Sequence, residues 1–184
     1  MKVIGVSGMP GSGKSVVSRI AADMGYEIIR MGDVIREEAQ RRGEDVGEVA
    51  VNLRLEFGKD IVAERCVEKI KQINQQHPLE RSNTTDKFII EGIRSPFEVN
   101  VFKNNFENFK VIAVHSTPKT RFKRLKRRQR SDDSIDYDEF IKRDERELGF
   151  GIGDVIATSD YMIINEGPLW RYKKALKKVF KRFS

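Results

Sequence analysis

Five short apolar runs recur along the chain, at Val3–Val6, Glu27–Arg30, Phe88–Glu91, Val111–Val114 and Tyr161–Ile164. Each is nearly continuous in apolar character, the pattern of strands buried on both faces of a parallel sheet. Between them the period lengthens to that of helices. Lys14 to about Met24 reads as one helix, with Gly25 where a C′ glycine belongs. Asp33–Gln40 and Glu48–Ile73 read as helical, punctuated by Gly43, Gly47 and Gly58, and Asn74–Asp86 reads as a polar loop. Thr117 and Pro118 form an N-cap and first-turn proline for a helix through about Arg130. Tyr137–Leu148 is a further helix, after which Gly149, Gly151 and Gly153 break the chain. This alternation predicts an α/β fold with a doubly wound, five-stranded parallel sheet. Two stretches interrupt it: the helical segment 31–73, and an Arg-rich segment that begins at 124 and closes by 150. Both are expected above the carboxyl ends of the strands, where open α/β sheets bind ligands.

Composition narrows the class. A chain of 184 residues, 39% hydrophobic and 34% charged, is expected to form one soluble domain over 1–184. No apolar run approaches the roughly 20 residues of a membrane span. The chain enters its first strand at once, so no signal peptide is expected. Cys66 has no partner for a disulfide and reads as an inert core residue. Together these predict a cytoplasmic protein without a membrane partner, in which the Asn83-Thr84-Thr85 glycosylation triplet carries no weight. The net charge of +7 has one source: seven Lys and Arg after Gly167 with no acid among them, leaving 28 basic and 28 acidic residues elsewhere. Leu169, Tyr172, Leu176, Val179 and Phe183 fall at helical spacing there, so this last helix is expected to pack on the sheet with its charges in solvent. Binding of nucleic acid is the alternative.

The chemistry begins at Gly8-Met9-Pro10-Gly11-Ser12-Gly13-Lys14-Ser15, between the first strand and first helix. By composition alone, that spacing would arise in a chain of this length less than ~1% of the time. Its glycines let backbone N–H groups approach phosphate, Lys14 reaches the β- and γ-phosphates, and the Ser15 hydroxyl suits Mg²⁺. ATP with Mg²⁺ is therefore the expected ligand. Phosphoryl transfer then needs positive charge around the moving group. Arg124, Arg127, Arg128, Arg130, Arg143 and Arg146 are candidates, against the alternative of a solvated helix face. Arg124 and Arg128 share a face that Arg127 does not. Asp33 is either a base or acceptor-orienting carboxylate, or the N-cap of its helix. Arg36 either holds an acceptor phosphate or pairs locally with Glu37 or Glu38, and Arg54 and Arg94 are further acceptor candidates. Glu91, at a strand end, can hold Mg²⁺ through water. His77 and His115 lack partners at metal-ligand spacing.

The order of these motifs resembles the P-loop nucleotide and nucleoside kinases. Gly32-Asp33-Val34-Ile35-Arg36 looks like the adenylate kinase signature whose Arg holds the acceptor phosphate, and Glu91-Gly92-Ile93-Arg94 resembles that family's Asp-Gly-x-Pro-Arg without its Pro. Arg124-Leu125-Lys126-Arg127 is similar to the start of a kinase lid, and Arg143-Asp144-Glu145-Arg146 to the lid of cytidylate kinases. Asp160–Asn165 resembles the ending of dephospho-coenzyme A kinases, after which backbone meets the adenine, and Asp33 also resembles their acceptor-side aspartate. The nearest match is an archaeal branch of dephospho-coenzyme A kinase-like proteins. The resemblance implies an acceptor-binding region over 31–73, a lid over 124–150, catalytic roles for Lys14, Asp33, Arg124, Arg127 and Arg143, and a nucleotide contact at Asn165. It implies a nucleotide-like acceptor: a nucleoside monophosphate by the Gly32–Arg36 motif, dephospho-coenzyme A by the Asp160–Asn165 motif. A P-loop ATPase or switch working with RNA or a protein is the alternative. A GTPase is excluded, since neither Asn-Lys-x-Asp nor Asp-x-x-Gly occurs.

Overall fold

The run Val3–Val6 lies at the middle of the sheet because both of its faces are covered by apolar side chains. In the computed structural model, which describes residues 1–76, 87–128 and 136–183, it extends to β1, Lys2–Ser7. His77, the Asn83–Thr85 triplet and Arg130 lie outside the described residues. On one side β1 pairs with β3 (Lys87–Ile93), which pairs with β2 (Glu27–Arg30); on the other it pairs with β4 (Lys110–His115), which pairs with β5 (Tyr161–Ile164). The order is β2-β3-β1-β4-β5 and every pair is parallel. The predicted doubly wound α/β sheet is present, each strand within two residues of its expected bounds.

Side chains alternate between the two faces. Val3, Phe88, Ile90 and Val111 join one core, whereas Ile4, Val6, Ile89 and Ile112 join the other. The second core is closed by α1 (Lys14–Asp23) and α9 (Leu169–Arg182). Met24 caps α1 and Gly25 follows at φ 82°, as expected of a C′ glycine. The last helix buries Tyr172, Leu176 and Phe180, with Val179 and Phe183 partly covered. Its packing follows the expectation, but the stripe is shifted: Leu169 is exposed and Phe180 takes a core position.

The first core is covered by α2 (Met31–Arg42), α3 (Val46–Phe57), α4 (Ile61–Gln76) and α5 (Pro96–Asn105). Two local readings are corrected here. Arg30, not Asp33, is the N-cap of α2, which places Asp33 inside the first turn. Gly58, expected as punctuation in the stretch 48–73, ends α3 at φ 97° and divides it into two helices. The helix α5 was unexpected from the apolar pattern; Ser95 and Glu98 form a capping box around a first-turn proline. Beyond β4 come α6 (Pro118–Arg128), α7 (Tyr137–Gly149) and α8 (Ile152–Ala157), the last a single short helix where the glycines suggested only a break. Cys66 is buried, and burial pushes its thiol up to about 12, as befits an inert core residue. Among the described residues no helix is long and apolar enough to cross a membrane.

Candidate active site at the strand ends

At the carboxyl end of β3 the register slips. Val6 faces Glu91 but Ser7 faces Ile93, so Gly92 is an extra residue, a bulge made at φ 103°. The buried Ser7 hydroxyl donates to the Ile93 carbonyl at 2.8 Å and fixes the bend. As a result Glu91, Gly92, Ile93 and Arg94 all turn toward the loop after β1 and line one cavity of about 300 Å³ with it. That loop contributes Gly8, Pro10, Gly11, Gly13, Lys14 and Ser15; the segment from α6 to α8 contributes Arg124, Leu125, Arg128, Arg143, Glu147 and Ile152.

The loop is held from behind. The Asn165 side-chain amide donates to the Ser12 carbonyl at 2.8 Å, and the Tyr172 hydroxyl of α9 donates to the Gly13 carbonyl at 3.1 Å. Gly13 sits at φ 106°, and a Cβ there would collide with Asn165 Nδ2. Arg124 donates to the Ser116 hydroxyl at 2.9 Å and to the Asn165 carbonyl at 2.8 Å. Arg121, buried, forms a two-pronged pair with Asp144 of α7 at 2.7 and 2.5 Å, reaches the Pro10 carbonyl at 3.3 Å, and lies over the Phe140 ring. This pair ties the Arg-rich segment to the loop. Single-sequence reading missed Arg121, since its partner is 23 residues away.

Lys14 Nζ donates to the Gly8 and Met9 carbonyls at 2.5 and 3.3 Å. Burial lowers its pKa from 10.5 to about 8; Glu91 and Glu147 oppose that shift, while Arg94 and Arg143 add to it. An arriving anion would reverse the balance. Across the cavity, Glu91 accepts a 2.5 Å bond from the Ser18 hydroxyl and lies 3.7 Å from Arg30. The loop thus presents inward backbone with no room for a Cβ at Gly13, a lysine, and a hydroxyl at Ser15 with a carboxylate at Glu91, a donor set that fits a triphosphate and Mg²⁺.

The expected acceptor residues stand differently. Arg94 Nη1 lies 3.3 Å from Glu147, whose residue is only 3% exposed. Arg54 lies 3.7 Å from Glu98 and 5.7 Å from the Phe150 ring, and burial lowers its pKa. Glu98, raised by burial, accepts from the backbone N–H groups of Arg94 and Ser95. Arg36 pairs with Asp33 on the surface rather than with Glu37 or Glu38. Glu37 goes to Lys69, and Glu38 to Arg41, Arg42 and Arg65.

The structure therefore brings Lys14, Ser15, Glu91, Arg94, Arg124 and Arg143 to one cavity with Gly8, Pro10, Gly11 and Gly13. It leaves Asp33, Arg36, Arg54 and Arg127 off its lining, with Arg127 exposed. Met9, Ser12 and Asn165 stand behind the loop backbone and shape it. Glu147 is the lining carboxylate that sequence reading passed over.

An AAA domain family matches residues 7–142. A UPF0200 protein of Methanothermobacter thermautotrophicus is 60% identical over 184 residues, which cover 100% of this chain and 92% of that relative. A UPF0200 protein of Pyrococcus furiosus is 45% identical over 88% of this chain and 86% of its own. Among solved structures, TT1252 from Thermus thermophilus superposes with a TM-score of 0.68 at 18% identity, over 100% of this chain and 98% of that one. Shikimate kinase from Bacteroides thetaiotaomicron does so with a TM-score of 0.56 at 16% identity, over 99% and 98%. The chain belongs to the AAA domain family and to the UPF0200 proteins of archaea; its fold is that of the P-loop kinases.

Proposed function

From that membership and from the cavity, we propose that this P-loop protein is a cytoplasmic phosphotransferase that moves the γ-phosphate of ATP to a nucleotide or nucleotide-like acceptor. The observation that carries the reading is the convergence of Lys14, Ser15, Glu91, Arg124 and Arg143 on one cavity beside the glycine loop. Loop N–H groups and Lys14 hold the phosphates. Ser15, and Glu91 through water, would hold Mg²⁺, which when bound supplies charge that offsets the charge developing on the phosphoryl oxygens. Arg124 and Arg143 stand where a second set of cations serves the moving group; in enzymes of this chemistry one such arginine contributes ~10³–10⁵ in rate. Arg121 with Asp144 positions the segment that carries them.

A second reading, an ATPase working with RNA, rests on α9: its charged face is basic throughout and its Tyr172 touches the loop carbonyl of Gly13. One assay separates the two. ATP·Mg²⁺ is presented with AMP, CMP, UMP, GMP or dephospho-coenzyme A, and phosphate release is followed beside product formation. A phosphotransferase stays nearly idle until an acceptor is added; an ATPase releases phosphate alone and is stimulated by RNA.

A further inference from the structure

Each of the three arginines expected to grip an acceptor phosphate lies against a protein carboxylate. Arg36 meets Asp33, Arg54 lies 3.7 Å from Glu98, and Arg94 lies 3.3 Å from Glu147. An acceptor phosphate would have to compete with all three, whereas a neutral acceptor group would not. Asp33, the carboxylate expected to orient the acceptor, is exposed and off the cavity lining. Glu147 is on the lining, buried, and close enough to Lys14 to raise its pKa.

A buried carboxylate in a cavity built for a triphosphate repels that triphosphate; Arg94 at 3.3 Å offsets its charge, and as part of the lining it still meets whatever else enters the cavity. Glu91 is already bonded to Ser18, on the Ser15 side of the cavity. Glu147 joins the lining from α7. We infer that Glu147 is a catalytic carboxylate for the acceptor, and that the acceptor's attacking group is a hydroxyl rather than a phosphate. This rests on the phosphotransferase reading above.

In the step it serves, the acceptor hydroxyl oxygen forms a bond to the γ-phosphorus as the bond from that phosphorus to the β,γ-bridging oxygen breaks. The bridging oxygen keeps the electron pair and leaves on ADP. The hydroxyl proton passes to the Glu147 carboxylate and from there to water. Arg94, 3.3 Å from Glu147, fixes where that carboxylate stands on the cavity lining.

The test pairs product analysis with Glu147→Gln, which still accepts a hydrogen bond from Arg94 but takes no proton. Wild type is incubated with ATP·Mg²⁺ and each of adenosine, cytidine, AMP, CMP and dephospho-coenzyme A, and products are read by phosphorus NMR. The expected product is a phosphate monoester. E147Q should lower kcat at least a hundredfold, the low end for a positioned proton acceptor, lose the acid limb of the pH profile, and keep the ATP·Mg²⁺ thermal shift. A phosphoanhydride product overturns the inference, as does an E147Q variant with wild-type kcat and pH profile. No product from any acceptor, with the thermal shift intact, overturns it too and leaves nucleotide binding standing. Loss of the thermal shift in wild type instead fails the phosphotransferase reading itself.

Discussion

The loop beside the cavity and the region of 31–73 and β3 hold their cations in opposite ways. On the loop side, Lys14 and Arg124 are bonded to carbonyl and hydroxyl oxygens, which fix geometry without cancelling charge. On the side of 31–73 and β3, Arg36, Arg54 and Arg94 are set against carboxylates, which fix geometry and cancel charge together. The first arrangement keeps positive charge available for an incoming polyanion; the second leaves little to offer one. A count of arginines alone treats the halves as equivalent, and their partners show that they are not.

The comparison breaks most sharply at Lys14. Lys14→Ala should reduce phosphoryl transfer by at least ~10³-fold, the low end of what one cation contributes at a transferred phosphoryl group. The melting temperature of the free protein should not fall, since the side chain serves a ligand and burying its charged amine costs stability; steady-state kinetics and a thermal melt check both halves. Next comes Gly13→Ala. A side chain at φ 106° costs about 1–3 kcal/mol in backbone conformation alone, and its Cβ would push Asn165 off the loop. Melting should fall by roughly 2–4 °C per kcal/mol, and nucleotide binding should weaken with it.

A smaller, graded effect comes from pH. Burial lowers the pKa of Lys14 from 10.5 to about 8, and bound phosphate favours its charged form. ATP affinity should therefore be level below about pH 8 and decline above it, with a proton taken up on binding above about pH 8. Stability of the free protein moves the other way: a folded pKa below the unfolded one means the burial cost of the charged amine is relieved as pH rises from about 8 to 10.5. Calorimetry in two buffers of different ionisation enthalpy measures the uptake. Smallest of all should be Arg36→Ala. Arg36 is an exposed arginine in a surface pair carrying at most ~1 kcal/mol, so kcat/KM should change less than about fivefold. A larger loss would mean that Arg36 leaves Asp33 to hold the acceptor.

The legibility of the chain follows the same division. The strands and the loop were readable because their signals are local: apolar runs of four residues, and a fixed spacing of glycine, lysine and serine. The capping box Ser95-Pro96-Phe97-Glu98 was equally local and went unread, because α5 buries only a narrow stripe around Phe102 and its apolar period is weak. The pairing on the acceptor side was not legible for a different reason. Whether Arg94 serves a ligand depends on Glu147, 53 residues on, and whether Arg54 does depends on Glu98 on another helix. Pairing at such separations leaves no mark in a single sequence. Arg127 illustrates the limit: its motif position favoured it, while the helical face that puts Arg124 and Arg128 on the cavity lining leaves it in solvent.

The most direct test is the thermal melt of the wild-type protein with ATP·Mg²⁺ and, separately, with AMP. At a hundredfold excess over Kd, nucleotide should add about 2.7 kcal/mol, a rise of roughly 5–10 °C for a domain of this size. AMP alone, offered to arginines already matched by carboxylates, should move the midpoint by less than a degree or two, about what ~0.5 kcal/mol gives. An unchanged melt across millimolar ATP·Mg²⁺, or an equal rise with AMP, would contradict a cavity that binds phosphate on its loop side and not on the other.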